Sequence, residues 1–201
     1  MPRFNIAPSQ AVAAVRQRET ARELVDMQWG LIPSWANDPK IGARMINARA
    51  ETVAEKPAFR SAFARRRCLI PTDGFYEWKK TDAKNKQPVY VQLRGGRPFA
   101  FAGLWEHWCG DAGTEIDSCS VITTDANDLL RDVHDRMPVI LPEEAYDAWL
   151  DPRQDAGRLQ SLLVPYPADK MNYFPVNTTV NNARNESANC IEPVVEQRSL
   201  F

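Results

Sequence analysis

The chain has 201 residues, of which 44% are apolar and 25% charged, with a formal net charge of −1. These numbers suit one globular domain in the cytoplasm. They exclude a membrane-spanning helix, because no apolar run approaches the roughly 20 residues it needs; no basic start leads into an apolar stretch, so no secretory signal is expected. The near-neutral total hides an asymmetry: Lys40 to Lys80 holds ten Lys/Arg against four Asp/Glu, and Phe101 to Gln160 holds four Arg against thirteen Asp/Glu. A local basic stretch can hold a polyanion despite a neutral total. A solvated helix face with scattered arginines is the plainer reading.

In chain order, Ala11 to Val15 and Leu24 to Gly30 read as short strands joined by a charged turn, Arg16 to Glu23. Pro33-Ser34-Trp35 breaks the pattern into a loop. Glu51 to Arg65 reads as a helix, with Phe59 and Phe63 on one face and Pro57 kinking it or delaying its start. Cys68 to Ile70 and Gly74 to Trp78 alternate as strands. Val89 to Leu93 and Pro98 to Leu104 form the clearest hairpin signal, turned at Gly95-Gly96. Ser118 to Thr123 is another strand, Pro142 to Leu150 and Asp155 to Leu163 are short amphipathic helices, and Tyr173 to Val176 is a late strand. Helices segregated from strands predict an α+β domain around a curved, largely antiparallel sheet. Trp29, Trp78, Trp105 and Trp108 are assigned to its core.

The four cysteines, Cys68, Cys109, Cys119 and Cys190, form no C-x-x-C pair, and the only histidines are His107 and His134. They read as reduced structural thiols. No metal and no cofactor is expected, and His107 is given no role.

Three segments carry chemistry. Glu77 lies in Asp73-Gly74-Phe75-Tyr76-Glu77-Trp78-Lys79-Lys80, His134 in Val133-His134-Asp135-Arg136-Met137-Pro138, and Asn47 and Arg49 in Ile46-Asn47-Ala48-Arg49-Ala50-Glu51-Thr52. Strand alternation puts Glu77 on the face of Phe75, an unusual place for a carboxylate, with Tyr76 and Trp78 beside it to lower the local polarity. It reads as a general acid with a raised pKa or as a carboxylate pointing to solvent. His134 reads as a proton shuttle oriented by Asp135 or Asp132, or as a surface-loop histidine. Asn47 and Arg49 are two residues apart, so an extended backbone turns both to one side. Arg49 suits a phosphate clamp. Trp35 is placed to stack on a base or to pack. No nucleophile of obvious identity accompanies these groups.

The three segments, with Arg3-Phe4-Asn5-Ile6-Ala7-Pro8, Trp29-Gly30-Leu31-Ile32-Pro33-Ser34-Trp35 and Val176 to Asn182, resemble in order the SOS response-associated peptidase (SRAP) family. The resemblance runs nearly the whole chain. It implies a sheet-based pseudo-barrel with peripheral helices, and processing of abasic sites in single-stranded DNA. It assigns Asn47, Glu77 and His134 to catalysis, and Asn5, Pro8, Trp35, Arg49, Thr123 and Arg136 to DNA binding. Lys56, Arg60 and Arg65 to Arg67 are candidates for an extended basic track. Ala36 stands where the family often has a second tryptophan, which implies a weaker wedge.

In the family a cysteine follows the initiator methionine within Met-Cys-Gly-Arg. Its amine and thiol close a thiazolidine on the sugar aldehyde, giving a covalent DNA–protein crosslink. This sequence reads Met1-Pro2-Arg3-Phe4-Asn5, so that leader is expected to be missing. Three explanations stand: a start placed too late, a member that binds DNA without crosslinking it, or Pro2 acting as a secondary amine. The expected function is binding and processing of abasic sites in single-stranded DNA, by crosslinking with autopeptidase-type leader processing, in a chain without the nucleophile. Whether the chain is enzymatic stays open. The alternative is a non-catalytic single-stranded-DNA-binding module. A monomer in the cytoplasm, associated with the nucleoid and not with membrane, is expected.

Overall fold

Strands β1 (Ala11–Arg18) and β2 (Ala21–Trp29) pair along their whole length. The charged stretch expected as a turn is therefore mostly strand. Arg16 and Glu23 are cross-strand partners, and Arg16 Nε donates to Glu23 at 3.3 Å, so opposite charges support the ladder instead of ending it. The computed structural model describes residues 2–19, 21–82 and 85–194.

After β3 (Asn47–Arg49), helix α1 (Arg60–Arg65) leads into β4 (Arg67–Thr72). The helix is much shorter than expected, since residues 51–59 form successive turns. Pro57 lacks the amide that a helix interior needs, and the helix starts only after it. Strands β5 (Phe75–Lys80), β6 (Lys86–Leu93), β7 (Phe99–Cys109) and β8 (Glu115–Asp125) follow. The order β7-β4-β1-β2-β8 closes on itself through a β7–β8 ladder, giving a five-stranded barrel. The pairing is mixed: β8 runs parallel to β2 and β3, and the remaining ladders are antiparallel. Short strands β9 (Arg136–Pro138) and β10 (Ile140–Leu141) extend it on β8 and β7. The result is an α+β barrel with short peripheral helices: the pattern predicts the α+β class and the curved sheet, and the resemblance implies the pseudo-barrel and its helices.

The expected β6–β7 hairpin does not form. Gly95 and Gly96 do turn with positive φ (85° and 65°), a conformation that glycine adopts without strain. The two strands then diverge into different sheets. β6 is already paired on both edges, by β5 and by β11 (Met171–Pro175), and β7 joins the barrel. Turn chemistry alone does not choose a strand's partner.

Alternation sorts the side chains. Ala14, Met27, Cys68, Ile70, Phe101, Cys119 and Val121 come from all five barrel strands and pack together, so they fill its interior. Gly103 keeps room there, since a Cβ on it would sit 2.7 Å from Cys68 Sγ. Leu69, Ala102, Leu104 and Ile122 point the other way and meet Phe63 of α1, Trp149 of α2 (Tyr146–Leu150) and Leu159 of α3 (Ala156–Ser161). The three-stranded sheet is covered on both sides. Phe75, Val89 and Val91 face the barrel interior cluster, while Tyr76, Tyr90 and Phe174 face Phe4, Val176, Val180 and Ile191 from the two terminal segments.

Arg67 does not belong to a basic surface track. It is 3% exposed, and its guanidinium donates to the carbonyls of Phe63 (2.6 Å), Trp149 (2.7 Å) and Asp151, tying α1 and α2 to β4. Arg67→Met keeps the stem and strands three carbonyls. We expect a loss of about 3 kcal/mol or more in urea unfolding, since hydrogen bonds to a buried charged group contribute about 1.5–3 kcal/mol each. A loss below about 1 kcal/mol would contradict the tether.

Candidate active site

Glu77 sits in the middle of β5 opposite Val89, on the face that packs against the barrel. Its burial thus comes from the Phe75 and Val89 side. Tyr76 and Trp78 point away: the Tyr76 hydroxyl donates to the Phe4 carbonyl (2.6 Å), and Trp78 Nε1 donates to Asn181 Oδ1 (2.7 Å). Trp78 is 36% exposed and is not a core residue. Desolvation pushes the Glu77 carboxyl up to about 6; His134, the Trp78 amide and Lys86 pull against that shift, while Asp135 adds to it. These electrostatic neighbours place β5 and the loop before β9 at one site.

That loop, residues 126–135, is held at both ends. Asn127 Oδ1 accepts from the Leu130 amide (3.1 Å), and its Nδ2 donates to the Tyr166 carbonyl (2.7 Å). Leu130 and Val133 are buried in the barrel cluster, which leaves the neighbouring His134 exposed at the rim. The Arg136 amide donates to His134 Nδ1 at 3.0 Å. The Arg136 carbonyl lies 3.1 Å from the same nitrogen, so the amide bonds Nδ1 in one tautomer and Nδ1 bonds the carbonyl in the other. Asp135 Oδ1 is 3.3 Å from the same Nδ1, so Asp135, of the two aspartates considered, adjoins the ring.

Arg136 is the best-anchored charge here. Its guanidinium takes both Glu51 carboxylate oxygens (2.7 and 3.0 Å), Asp125 Oδ1 (2.8 Å) and the Thr123 carbonyl (2.7 Å). The Glu51 pair lowers the Glu51 pKa and raises that of Arg136. Its donors are largely committed inside the protein, so it braces the His134 loop. Glu51 and Asp125 were missed as site residues in the sequence, where nothing marks either as a partner of Arg136, 85 and 11 residues further on.

Asn47 and Arg49 are both exposed on β3, with Ala48 buried between them. The parallel ladder sets Arg49 against Thr123 of β8, whose other neighbour is Pro138 of β9. Arg49 also acts electrostatically on Glu51. Thr123 is 8% exposed and Asn5 6%, so neither offers a free side chain. Asn5 Nδ2 donates to the carbonyls of Val180 (3.1 Å) and Asn182 (3.2 Å), locking the two terminal segments together. Pro8 is exposed. Trp35 is 60% exposed and borders an open depression of about 440 Å³ with Ala36, Lys40, Ile41 and Arg44. From there the chain runs directly into β3. The structure thus brings Glu77 and His134 together, and puts Arg49 beside the Glu51–Arg136 pair.

A model of the family described as SOS response associated peptidase (SRAP) matches residues 1–183. The chain belongs to the SRAP family. Among curated SRAP relatives, the abasic site processing protein YoaM of Bacillus subtilis is 47% identical over 192 residues, covering 95% of this chain and 85% of that protein. HMCES of Xenopus tropicalis, also an abasic site processing protein, is 36% identical over 87% of this chain and 58% of its own length. A crystal structure of a Bacteroides thetaiotaomicron protein superposes with a TM-score of 0.85 at 30% identity, covering 93% of this chain and 82% of that one. One from Bordetella bronchiseptica gives 0.75 at 34% identity, with 86% of each chain covered. No helix among the described residues is long and apolar enough to cross a membrane.

Two outcomes follow from this geometry. The Glu77 pKa is raised from 4.5 to about 6, so the folded state holds its proton more tightly than the unfolded one. Ionisation of the buried carboxyl adds no cost below about pH 4.5; the cost grows as pH rises and is complete above about pH 6. Glu77→Gln should stabilise the protein by about 2 kcal/mol above pH 7 and leave it unchanged near pH 4. Equal unfolding free energies for both proteins at both pH values would refute the assignment. Separately, Arg136→Lys keeps the charge but loses the fork. Amide exchange across residues 126–135 should speed up, and unaltered exchange would show that the loop does not depend on the guanidinium.

Proposed function

We propose that this SRAP protein binds abasic sites in single-stranded DNA and handles the ring-opened sugar with Glu77 and His134. The observation that carries the reading is a carboxyl pushed up to about 6 by burial, with a rim imidazole as its electrostatic neighbour. A carboxyl with that pKa is partly protonated near neutrality. It can donate its proton to the ring oxygen as the bond from that oxygen to C1 breaks, and regain one from the C1 hydroxyl, which becomes the aldehyde. The His134 imidazole passes protons during Schiff-base formation. Asn47 supplies an amide to the sugar or to the reacting amine. Arg49 offers a phosphate its unused fork, and exposed Trp35 offers a stacking face beside Lys40 and Arg44. In this reading Arg136, Thr123 and Asn5 work by bracing these groups, and the protein acts as a cytoplasmic monomer on nucleoid DNA. The curated relatives are abasic site processing proteins, which supports the substrate class.

The test compares a single strand carrying one abasic site with the intact strand and with duplex, by fluorescence anisotropy over a salt series. The abasic strand should bind tightest, and Arg49→Ala should reduce the salt slope by about one. Equal binding of abasic and intact strands would favour a non-catalytic module. Equal binding of duplex would remove the single-strand reading. Catalysis is tested by placing a Met-Cys-Gly-Arg leader of family length ahead of Arg3. Denaturing gels should then show a heat-stable adduct with abasic DNA, formed about 10²–10⁴-fold more slowly in Glu77→Gln. A folded, leader-bearing protein that forms no adduct would overturn the catalytic assignment.

A further inference from the structure

The far end of the β7–β8 ladder holds a second cluster of reactive side chains that the abasic-site reading does not use. The antiparallel register sets His107 opposite Asp117 and Cys109 opposite Glu115. Residues two apart on one strand, and their direct partners on the next, share a face. All four side chains therefore rise from the same side. The ligand atoms of His107, Cys109 and Glu115 lie within 4.8 Å of one another, and all three residues are exposed.

We propose that His107, Cys109 and Glu115 form a divalent metal site of the zinc class. The donor set is a thiolate, an imidazole and a carboxylate. That mixture suits a borderline-soft ion and disfavours magnesium or calcium, which take oxygen ligands. Thiolate and carboxylate together neutralise a doubly charged cation. Zinc bonds of about 2.0–2.3 Å place tetrahedral ligands roughly 3.3–3.8 Å apart, so these exposed side chains need to close by only about 1 Å. The ladder fixes their backbones, and water takes the fourth position.

Asp117 is the positioning residue. His107 Nδ1–H donates to Asp117 Oδ1 at 2.7 Å, and Arg16 holds Asp117 Oδ2 at 2.8 Å. Arg16 is itself 7% exposed, pairs with Glu23 and lies 4.5 Å from the Trp105 ring centroid. Asp117 is thus drawn back towards the barrel. It fixes the imidazole tautomer and leaves the Nε2 lone pair for the ion, the support that metal-bound histidines commonly receive. The site is remote from Glu77: Glu115 and Asp125 end an eleven-residue strand, which puts them roughly 33 Å apart.

The test uses the untagged chain after chelator treatment. Zinc added to it should bind with one-to-one stoichiometry by calorimetry and raise the unfolding temperature. Cobalt(II) in its place should give a thiolate-to-metal charge-transfer band. Cys109→Ser should abolish that band while leaving the metal-free unfolding curve unchanged, because Cys109 is exposed. Asp117→Asn should weaken zinc binding about 10–100-fold. Absence of stoichiometric binding, or a cobalt band that survives Cys109→Ser, would overturn the proposal. Binding to abasic DNA should be the same in Cys109→Ser and the parent chain, which separates this site from the one at Glu77.

Discussion

The structure depends on β8 having strand partners on both edges across its central residues, 118 to 123. β7 pairs with residues 115–121 and β2 with 118–119, and further along β3 pairs with 121–123 and β9 with 123–125. Backbone amides and carbonyls buried without partners are costly. A strand this deep in the molecule is stable only because four neighbours share its ladder. The first half of β8 closes the barrel. The second half runs beyond the closure and carries the two strands that present Arg49 and Arg136.

The three-stranded sheet meets a different constraint, since both of its faces must be covered. One lies on the barrel cluster and the other beneath the terminal segments, which Asn5 joins to each other and Tyr76 joins to β5. Glu77 is the one acidic residue on the β5 face that packs inward. A carboxylate there loses hydration with no directly bonded cation to compensate, and its pKa rises in consequence. The burial that would count against Glu77 as a surface residue is what raises its carboxyl to about 6.

Several other charges are held by committing the guanidinium to defined partners. Arg67 satisfies three helix-end and loop carbonyls, Arg136 braces the His134 loop, and Arg16 holds Asp117. The basic residues of the sequence therefore divide between internal tethers and exposed groups such as Arg49, Lys40 and Arg44. Only the exposed ones are available to a phosphate. Counting arginines along the chain does not separate the two sets, because the difference lies in what each fork finds across space.

Sequence alone determined the family, the α+β class, most strands and the motifs holding Glu77, His134, Asn47 and Arg49. These are local signals: alternation, turn residues and short ordered motifs survive in one dimension. Alternation also correctly put Asn47 and Arg49 on one face and split Glu77 from Tyr76 and Trp78. What it could not supply was which face would be buried, so Trp78 was assigned to the core and the burial of Glu77 to the wrong neighbours. The Gly95-Gly96 turn announced a hairpin that the already paired edges of β6 forbid, and Arg16 to Glu23 looked like a turn until its charges met across a ladder. Only the tertiary structure decided that Glu51 and Asp125 hold Arg136, that Arg67 is internal, and that His107 and Cys109 share a face with Glu115 and Asp117. Each of these depends on strand register or on closure of the barrel, and both are settled by simultaneous pairing of segments distant in the chain.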